Sequence, residues 1–304
     1  MLSNQTLAVV GCGKEPKPVA SLLKKKEKLK VIIGNMGSAI LNGLLNATRS
    51  QSQPRVSNFV VVTGTAESAD RLRSRFELDK SRLQVYHGDS LSAMKQADII
   101  ILGCKPFMAE TILGQDGIGD ALAGKFLISV LAGKTPQLLA SYIQQTLLTA
   151  QKPFVVRAMP NVAARVRKSM TIIEHNPSLP DELSEALEWI FGQIGTVKVL
   201  ESDLFDVGSL LVGSSMAILS IGLDGILDGC VSEGIRRPEA LQMAAQSMLG
   251  MAEMLRQGEK PADYRESVSS PKGGTITALI TVEKAGVRGT FAQSMKDGTK
   301  TVKG

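Results

Sequence analysis

Glycines with the spacing of a phosphate-binding turn lie near the start of the chain, in two groups that a long segment separates. The groups are Gly11-Cys12-Gly13, which follows the apolar run 7–10, and Asn35-Met36-Gly37, which begins a helical pattern. Glycines let a backbone come close to a pyrophosphate, and the N–H groups of a helix N-terminus donate to it. When the two groups are joined, the sequence reads as a strand, then the motif Gly-x-Gly-x-x-Gly, then the start of a helix. This order predicts a dinucleotide-binding turn. A strand-to-helix turn without a ligand is the structural alternative.

The separating segment, residues 14–34, is interpreted as an insertion. Removing its 21 residues restores the motif without a seam, because either Gly13 or Gly34 can serve as the second glycine. Codons for Gly13-Lys14 can contain the splice signal GTAAG, and codons for Ile33-Gly34 can contain a terminal AG. We therefore interpret the segment as a translated retained intron or a gene-model error. If it is part of the protein, residues 30–33 compete with residues 7–10 as first strand, and pyrophosphate binding is expected to be weakened.

The end of the second predicted strand indicates which dinucleotide is expected. An NAD-binding chain usually carries an acidic residue there, which binds the ribose hydroxyls. Here the strand is followed by Thr63 and Thr65, and then by Ser68, Arg71 and Arg73. Hydroxyl and guanidinium groups suit a 2′-phosphate better than free hydroxyls. NADPH is therefore the expected cofactor, with NADH as the alternative.

The elements that must position these residues alternate between apolar runs and helical patterns. Strands are predicted at residues 7–10, 59–62, 84–86, 97–103, 126–131, 154–157 and 170–174, and helices at 67–76, 105–113 and 135–148. Such alternation predicts a parallel, doubly wound sheet of the Rossmann type. Thr135 with Pro136 is typical of a helix start. The α/β domain is expected to comprise residues 1–198.

Residues 199–304 are expected to form a second, all-α domain. Helical patterns cover residues 203–233, 238–257, 263–268 and 275–284 of this domain, and a further helical pattern at residues 181–192 precedes it. The apolar run 207–227 has the length of a membrane span, but it contains four glycines and lacks aromatic or basic anchors at its ends. We therefore expect a buried, closely packed helix rather than a membrane segment.

Composition excludes several classes of function. The net charge is +6, but residues 14–34 hold seven lysines and two glutamates, a net +5, which leaves +1 for the rest of the chain. No aromatic residue lies among those lysines, so no nucleic-acid partner is expected. Cys12, Cys104 and Cys230 are far apart and the chain has two histidines, so we expect no metal site and a reducing, cytoplasmic setting. No secretory signal is visible at the N-terminus.

Five motifs in the same order make the chain resemble the pyrroline-5-carboxylate reductase family, and its fungal members in particular, along nearly its whole length. The first is the glycine motif with its interruption. The others are residues 100–106 (IILGCKP), 129–133 (SVLAG), 157–161 (RAMPN) and 268–276 (VSSPKGGTI). The last is the most specific.

The resemblance implies NAD(P)H-dependent reduction of the cyclic imine 1-pyrroline-5-carboxylate, or a related imine, to proline or a proline analogue. It also implies a Rossmann-type domain followed by an all-α dimerisation domain, in a homodimer or a larger homo-oligomer. Hydride addition to a protonated C=N bond needs positioning more than acid–base residues. The substrate that the resemblance implies is a small cyclic imine carboxylate.

The resemblance also implies the site residues. Thr275 would place its hydroxyl near the imine nitrogen, and the turn that contains Ser270, Gly273, Gly274 and Thr275 would hold the substrate carboxylate. An ordinary helix start is the structural alternative for this turn. The expected cofactor contacts are Gly11, Cys12, Gly13, Gly34, Asn35, Met36, Gly37, Thr63, Cys104, Lys105, Pro106, Ala132 and Gly133.

Three positions depart from the family pattern. Ser215-Met216 replaces a Gly-Pro pair, and Ser267 replaces an asparagine. Lys272 stands where the family has a glycine that we expect to use a positive φ. These changes suggest a divergent paralogue that acts on a related imine. The alternative is a catalytically weak or inactive homologue that only oligomerises, or a product made defective by residues 14–34.

Overall fold

The computed structural model of the protein describes residues 5–10, 35–49 and 55–303. The glycine-motif residues Gly11, Cys12, Gly13 and Gly34 lie outside the described residues, as do residues 30–33. The chain forms two compact units, one comprising residues up to Gly213 with the last few residues from Val302, and the other running from Ser214 to Thr301. The boundary expected after residue 198 falls within the last strand of the first unit and stays a prediction.

The first unit is built around an eight-stranded sheet in the order β3-β2-β1-β4-β5-β6-β7-β8. The strands are β1 Gln5–Val10, β2 Val56–Thr63, β3 Leu83–His87, β4 Ile99–Leu102, β5 Phe126–Ser129, β6 Phe154–Met159, β7 Ser169–Glu174 and β8 Gly195–Leu200. The run 7–10 is thus the first strand of the structure, inside the sheet. The predicted doubly wound, Rossmann-type fold is confirmed.

In the residues that the structure describes, seven α-helices precede residue 202 in the first unit and accompany the sheet. They are α1 Asn35–Thr48, α2 Ala66–Arg75, α3 Ser90–Gln96, α4 Ala109–Leu113, α5 Ile118–Leu122, α6 Pro136–Gln144 and α7 Asp181–Gly192. Successive strand residues face opposite sides of the sheet. Phe59, Val61 and Ile101 therefore join α1 and α7 in one core, whereas Val60, Val62 and Ile100 join α3, α5 and α6 in the other.

The expectation of an all-parallel sheet is wrong at β7. Strands β1 to β6 pair in parallel, but β6 and β7 are antiparallel. The connection between them is a single 3₁₀ turn, Val162–Val166, which is too short for the crossover that a parallel pair requires. Helix α7 then supplies a proper crossover, and β8 pairs with β7 in parallel.

The second unit is helical in its described residues, as predicted. Its helices are the continuation of α8 Ser202–Ser232, followed by α9 Arg237–Arg256, α10 Pro261–Ser267, α11 Gly274–Lys284 and α12 Val287–Lys303. The expectation that the run 207–227 is buried is wrong for the single chain. Only 6% of the most apolar window of α8 is buried, and by length and composition this helix could cross a membrane.

Candidate active site

The carboxyl ends of four strands lie level at one edge of the sheet. Val10 of β1 is in register with Val62 of β2 and with Leu102 of β4, and Leu102 is in register with Ser129 of β5. Strand β1 is the point from which the chain winds outward in both directions, towards β2 on one side and β4 on the other. Crevices at such switch points bind ligands in open α/β sheets. Thr63 is the last residue of β2, and the other predicted cofactor residues that the structure describes come after β1, β4 and β5.

Helix α1 begins at Asn35, the first described residue after β1. Met36 is half-buried against the core, and Gly37 is buried. The first turn contains no acidic residue, so no side-chain charge there opposes an anion at the helix N-terminus. This end of α1 therefore fits a pyrophosphate.

The segment after β2 presents two hydroxyls and a guanidinium at the start of α2. The Thr65 Oγ1 atom accepts a hydrogen bond from the Ser68 backbone N–H at 3.2 Å and lies 2.8 Å from the Ser68 Oγ atom. The Arg71 guanidinium donates to the same Ser68 Oγ atom at 2.9 Å. The three side chains thus form one polar cluster at a helix N-terminus, in which Ser68 is buried and Arg71 also pairs with Glu67 at 3.4 Å. Hydroxyl and guanidinium groups in this arrangement suit a phosphate monoester.

Two other residues of this segment have different tasks. Thr63 is buried, and its hydroxyl donates to the Thr65 carbonyl oxygen at 2.9 Å, so the side chain shapes the turn. Arg73 donates to the Val85 carbonyl oxygen on β3 at 2.7 Å and pairs with Asp70. It therefore connects α2 to the sheet and is not part of the polar cluster described above. The hydrogen-bond partners of these two side chains decide what they do, and the sequence pattern does not give those partners.

After β4 the chain turns outward at the predicted residues Cys104, Lys105 and Pro106. Cys104 belongs to the apolar core and is 6% exposed, and its burial raises the pKa of the thiol to about 11. The thiol is therefore protonated at neutral pH, and only the backbone of Cys104 is available at the edge. Lys105 is exposed and precedes a 3₁₀ turn that begins at Pro106.

After β5 the chain turns at Ala132 and Gly133, both of which are exposed. Gly133 has φ +68°, and an added Cβ would meet no atom within 4 Å. The backbone there is thus open to a ligand, and a larger side chain would occupy that space. Thr135 begins α6 as predicted, since its Oγ1 atom accepts from the Leu138 N–H at 3.2 Å.

Asn161, which carried no predicted role, connects three parts of the first unit. Its Nδ2 atom donates to the Val212 carbonyl oxygen of α8 at 3.0 Å, and its backbone N–H donates to the Ser169 Oγ atom at 3.0 Å. Its Oδ1 atom accepts from the Ala163 N–H at 3.1 Å. The sequence motif at residues 157–161 contains Asn161, but only the structure shows that its side chain binds α8 at Val212.

In the second unit, the predicted substrate residues form one turn between α10 and α11. The Gly273 N–H donates to the Ser270 carbonyl oxygen at 3.0 Å. Gly273 precedes the first residue of α11, Gly274, and no side chain caps this helix. The N–H groups of Gly274 and Thr275 therefore start a helix of 11 residues without the usual Ser, Thr or Asp acceptor.

The departures from the family pattern are visible in the same unit. Lys272 has φ +61°, so the positive φ expected at this position is confirmed. Met216 is 57% exposed on α8. Ser267 donates from its hydroxyl to the Tyr264 carbonyl oxygen at 2.9 Å within α10.

Two family models match the chain. "Pyrroline-5-carboxylate reductase dimerisation" matches residues 202–304, and "NADP oxidoreductase coenzyme F420-dependent" matches residues 31–133. The second match begins inside the segment 14–34 and leaves β1 outside it. In the described part of the chain, no group of three or more His, Cys, Asp or Glu side chains could hold a metal ion.

Relatives and solved structures agree with these matches. A pyrroline-5-carboxylate reductase of Lophium arboricola is 36% identical over 98% of this chain and 92% of its own length. One from Neurospora crassa is 35% identical over the same shares. The crystal structure of the Plasmodium falciparum pyrroline carboxylate reductase with NADP bound is 20% identical, covers 100% of this chain and 98% of its own, has a TM-score of 0.76 and has the same fold. The chain belongs to the pyrroline-5-carboxylate reductase family.

Proposed function

We propose that the chain reduces 1-pyrroline-5-carboxylate, or a related cyclic imine carboxylate, to L-proline or a proline analogue with NADPH. The observation that carries the proposal is the 36% identity to the Lophium arboricola reductase over 92% of that relative's length. The inactive-homologue alternative lacks a comparable observation. We place the enzyme in the cytoplasm, in keeping with the free thiols of Cys104 and Cys230.

The sheet edge supplies the groups that NADPH requires. The N-terminus of α1, from Asn35 to Gly37, would hold the pyrophosphate, and Thr65, Ser68 and Arg71 would hold the 2′-phosphate. The backbones at Lys105-Pro106 and Ala132-Gly133 would border the rest of the cofactor. When bound, NADPH supplies a hydride to the imine carbon, whose C=N electron pair moves onto the ring nitrogen.

The turn before α11 supplies the groups that the substrate requires. The N–H groups of Gly274 and Thr275 would donate to the substrate carboxylate, since no side chain of the turn caps them. The Thr275 hydroxyl would hydrogen-bond the ring nitrogen as its charge changes, which orients the imine carbon and stabilises the transition state.

The test is turnover of pyrroline-5-carboxylate by the purified chain, followed at the NADPH absorbance band. We expect Thr275→Val to lower kcat by about a hundredfold, because the hydroxyl acts on the reacting nitrogen. Thr275→Ser retains the hydroxyl and is the matched control, with kcat close to that of the parent. A folded oligomer that shows no turnover with this imine or its ring homologues would contradict the proposal and favour the inactive homologue.

Residues 14–34 call for a comparison of the complete chain with a shortened chain that lacks them. Sequencing of the transcript across this junction shows whether the segment is retained. We predict that deleting residues 14–34 lowers the Kd for NADPH by about tenfold, because the glycines then act within one tight turn. Equal Kd values for the complete and the shortened chain would contradict this prediction.

We infer a homodimer, or a larger homo-oligomer, assembled through the region that matches the dimerisation model. Large apolar side chains are exposed on three helices of that region in the single chain, among them Met216, Leu219, Ile221, Ile226, Leu241, Leu249, Ile280 and Val282. A protein surface that exposes so much apolar area is typical of a protein–protein interface.

A further inference from the structure

The C-terminal end of α1 is attached to the sheet by an ionic cluster around the buried Asp79 carboxylate, in which the Arg82 side chain is 18% exposed and the Arg49 side chain 45% exposed. The Arg82 guanidinium donates to the Leu45 carbonyl oxygen at 2.7 Å and to the Thr48 Oγ1 atom at 2.7 Å. These groups belong to the last turn of α1, where carbonyl oxygens have no partner within the helix. Arg82 therefore caps α1 at the end opposite to the predicted pyrophosphate site.

Arg82 is itself held in place from two sides. Its backbone carbonyl oxygen accepts from the Phe59 N–H of β2 at 2.8 Å, and its guanidinium lies 5.3 Å from the Phe59 ring centroid. Its side chain also donates to the Asp79 Oδ1 atom at 2.9 Å and 3.1 Å. The cap thus connects α1 directly to β2, the strand beside β1.

Asp79 completes the cluster by pairing with a residue that follows α1. The Arg49 Nη2 atom lies 2.7 Å from the Asp79 Oδ2 atom, and the Asp79 side chain is 1% exposed. Burial opposes the ionisation of Asp79, but hydrogen bonds and charge from Arg49 and Arg82 outweigh it and keep the pKa of Asp79 below its ordinary value. The Asp79 carboxylate therefore connects Arg49, which follows α1, to Arg82, which caps the helix.

In most dinucleotide-binding chains, the tight turn between β1 and α1 sets the start of the helix. Here residues 11–34 connect the two elements, and a connection of that length can span many times the width of a tight turn. In the described part of the chain, the placement of α1 follows from its contacts with the core and with Arg82.

Apolar packing accounts for part of that placement. Ile40, Leu41, Leu44 and Leu45 are fully buried, and a Cβ added to Gly43 would lie 2.5 Å from the Ile194 Cγ2 atom. Such close contacts hold the helix against the core and resist its sliding. The Arg82 hydrogen bonds add directional contacts at the C-terminal end of α1, to the Leu45 carbonyl oxygen and the Thr48 hydroxyl.

We infer that Arg82 is a positioning residue for NADPH. With the support of Asp79 and Arg49, Arg82 sets the position of α1, a task that an uninterrupted glycine motif performs in other dinucleotide-binding chains. The inference rests on the proposed NADPH-binding function. A helix of 14 residues is about 21 Å long and nearly rigid, so a displacement at Thr48 reaches Asn35. Phosphate-binding groups must be placed to within about 0.5 Å.

The test compares Arg82→Gln in the complete chain and in the chain that lacks residues 14–34. In the complete chain we expect the Kd for NADPH to rise about tenfold, with kcat at saturating NADPH changed less than about twofold. In the shortened chain, where the tight turn sets the helix start, the rise in Kd should stay below about threefold. Arg82→Lys retains the charge but not the planar fork, and should restore only part of the affinity.

Lys125→Gln is the matched control. Lys125 donates to the carbonyl oxygens of Met94 and Lys95 at 2.7 Å and 3.0 Å, so it caps α3, which contributes nothing to the proposed site. We expect it to leave the Kd for NADPH unchanged in both chains. A rise in Kd of equal size for Arg82→Gln in both chains, or no rise in either, would overturn the inference.

Amide hydrogen exchange gives a readout that does not depend on the cofactor. We expect Arg82→Gln to speed exchange in the first turns of α1 more in the complete chain than in the shortened one. If no chain binds NADPH, the proposed function fails, and the exchange data still decide whether Arg82 positions α1. Equal exchange in both chains would overturn the inference on that ground as well.

Discussion

At the residue scale, the most unusual backbone lies in the proposed substrate turn. Lys272 has φ +61°, and Arg167 with φ +58° is the other non-glycine residue with positive φ in the described part of the chain. A side chain with a Cβ costs roughly 1 kcal/mol or more in this left-handed region. The turn keeps its shape although the glycine of the family is absent, so the fold sustains the strain.

We predict that Lys272→Gly raises the free energy of unfolding by about 1 kcal/mol, because glycine adopts this φ without steric strain. Urea denaturation of the complete chain measures the change. The KM for the imine substrate shows at the same time whether the ammonium group assists carboxylate binding, since its loss would then raise KM.

Arg167→Gly is the matched control for this prediction. It removes the same strain in the first unit, at the end of the 3₁₀ turn 162–166, but it also removes a hydrogen bond from the Arg167 Nε atom to the Gln193 carbonyl oxygen at 3.2 Å. We expect a smaller gain in stability there and no effect on KM. A loss of stability in Lys272→Gly would contradict the idea that the turn is strained.

Residue types and spacing predicted the strand ends near which the proposed site residues lie, but not which of their side chains are exposed. Thr63 is the last residue of β2 and Cys104 follows β4, and both side chains are buried. Side-chain direction depends on the tertiary environment, which a single sequence does not contain. Conversely, the positive φ at Lys272 was predictable because glycine is the common residue for that conformation.

At the scale of elements, a buried ionic network connects β6, β7 and α8. The Arg157 Nε and Nη2 atoms lie 2.6 Å and 3.1 Å from the Glu174 carboxylate oxygens, and the Nη1 atom lies 3.1 Å from the Asp206 Oδ1 atom. The guanidinium carbon lies 4.0 Å from the Phe205 ring centroid. One arginine thus pairs with two nearly buried carboxylates on different elements.

We predict that Arg157→Leu lowers the free energy of unfolding by about 3–5 kcal/mol, because it leaves both carboxylates buried without a counter-charge. Lys80→Ala, which removes the exposed Lys80–Glu77 pair, is the control and should leave the unfolding midpoint unchanged. Urea denaturation distinguishes the two outcomes. A loss below about 1 kcal/mol in Arg157→Leu would contradict the assigned role.

The elements that sequence patterns missed share one physical property, the lack of a continuous apolar run. Strand β8 alternates exposed and half-buried residues, and α12 carries only a few large apolar side chains among many polar ones. Strand β8 forms because its backbone pairs in parallel with the neighbouring strand β7. The apolar strands β4 and β5 are buried on both faces, and such runs are recognisable in any sequence.

At the scale of the whole molecule, three environments are open to the apolar helix α8: the interior of its own chain, an interface with a second copy, and a membrane. The sequence favoured a buried helix, and the single chain exposes it instead. Burial against a second copy reconciles the apolar sequence with the exposed surface, because the region from residue 202 onwards matches a dimerisation model. A single-chain pattern shows that a surface must be covered, but not by which molecule.

The last prediction tests what covers α8. Ile221 is 74% exposed in the single chain, and placing a carboxylate there would bury an unpaired charge if a second copy covers the helix. We predict that Ile221→Glu raises the dimer dissociation constant by at least about a hundredfold, measured by sedimentation velocity over a concentration series.

Leu148→Glu changes an apolar residue of the first unit that is 88% exposed, and it should leave the oligomer intact because residue 148 lies outside the region that matches the dimerisation model. NADPH binds through the first unit in our proposal, so Ile221→Glu should retain NADPH affinity even as a monomer. An unchanged oligomer in Ile221→Glu would show that the partner copy leaves this part of α8 uncovered. Association of the parent chain with lipid vesicles, lost in Ile221→Glu, would instead assign the helix to a membrane.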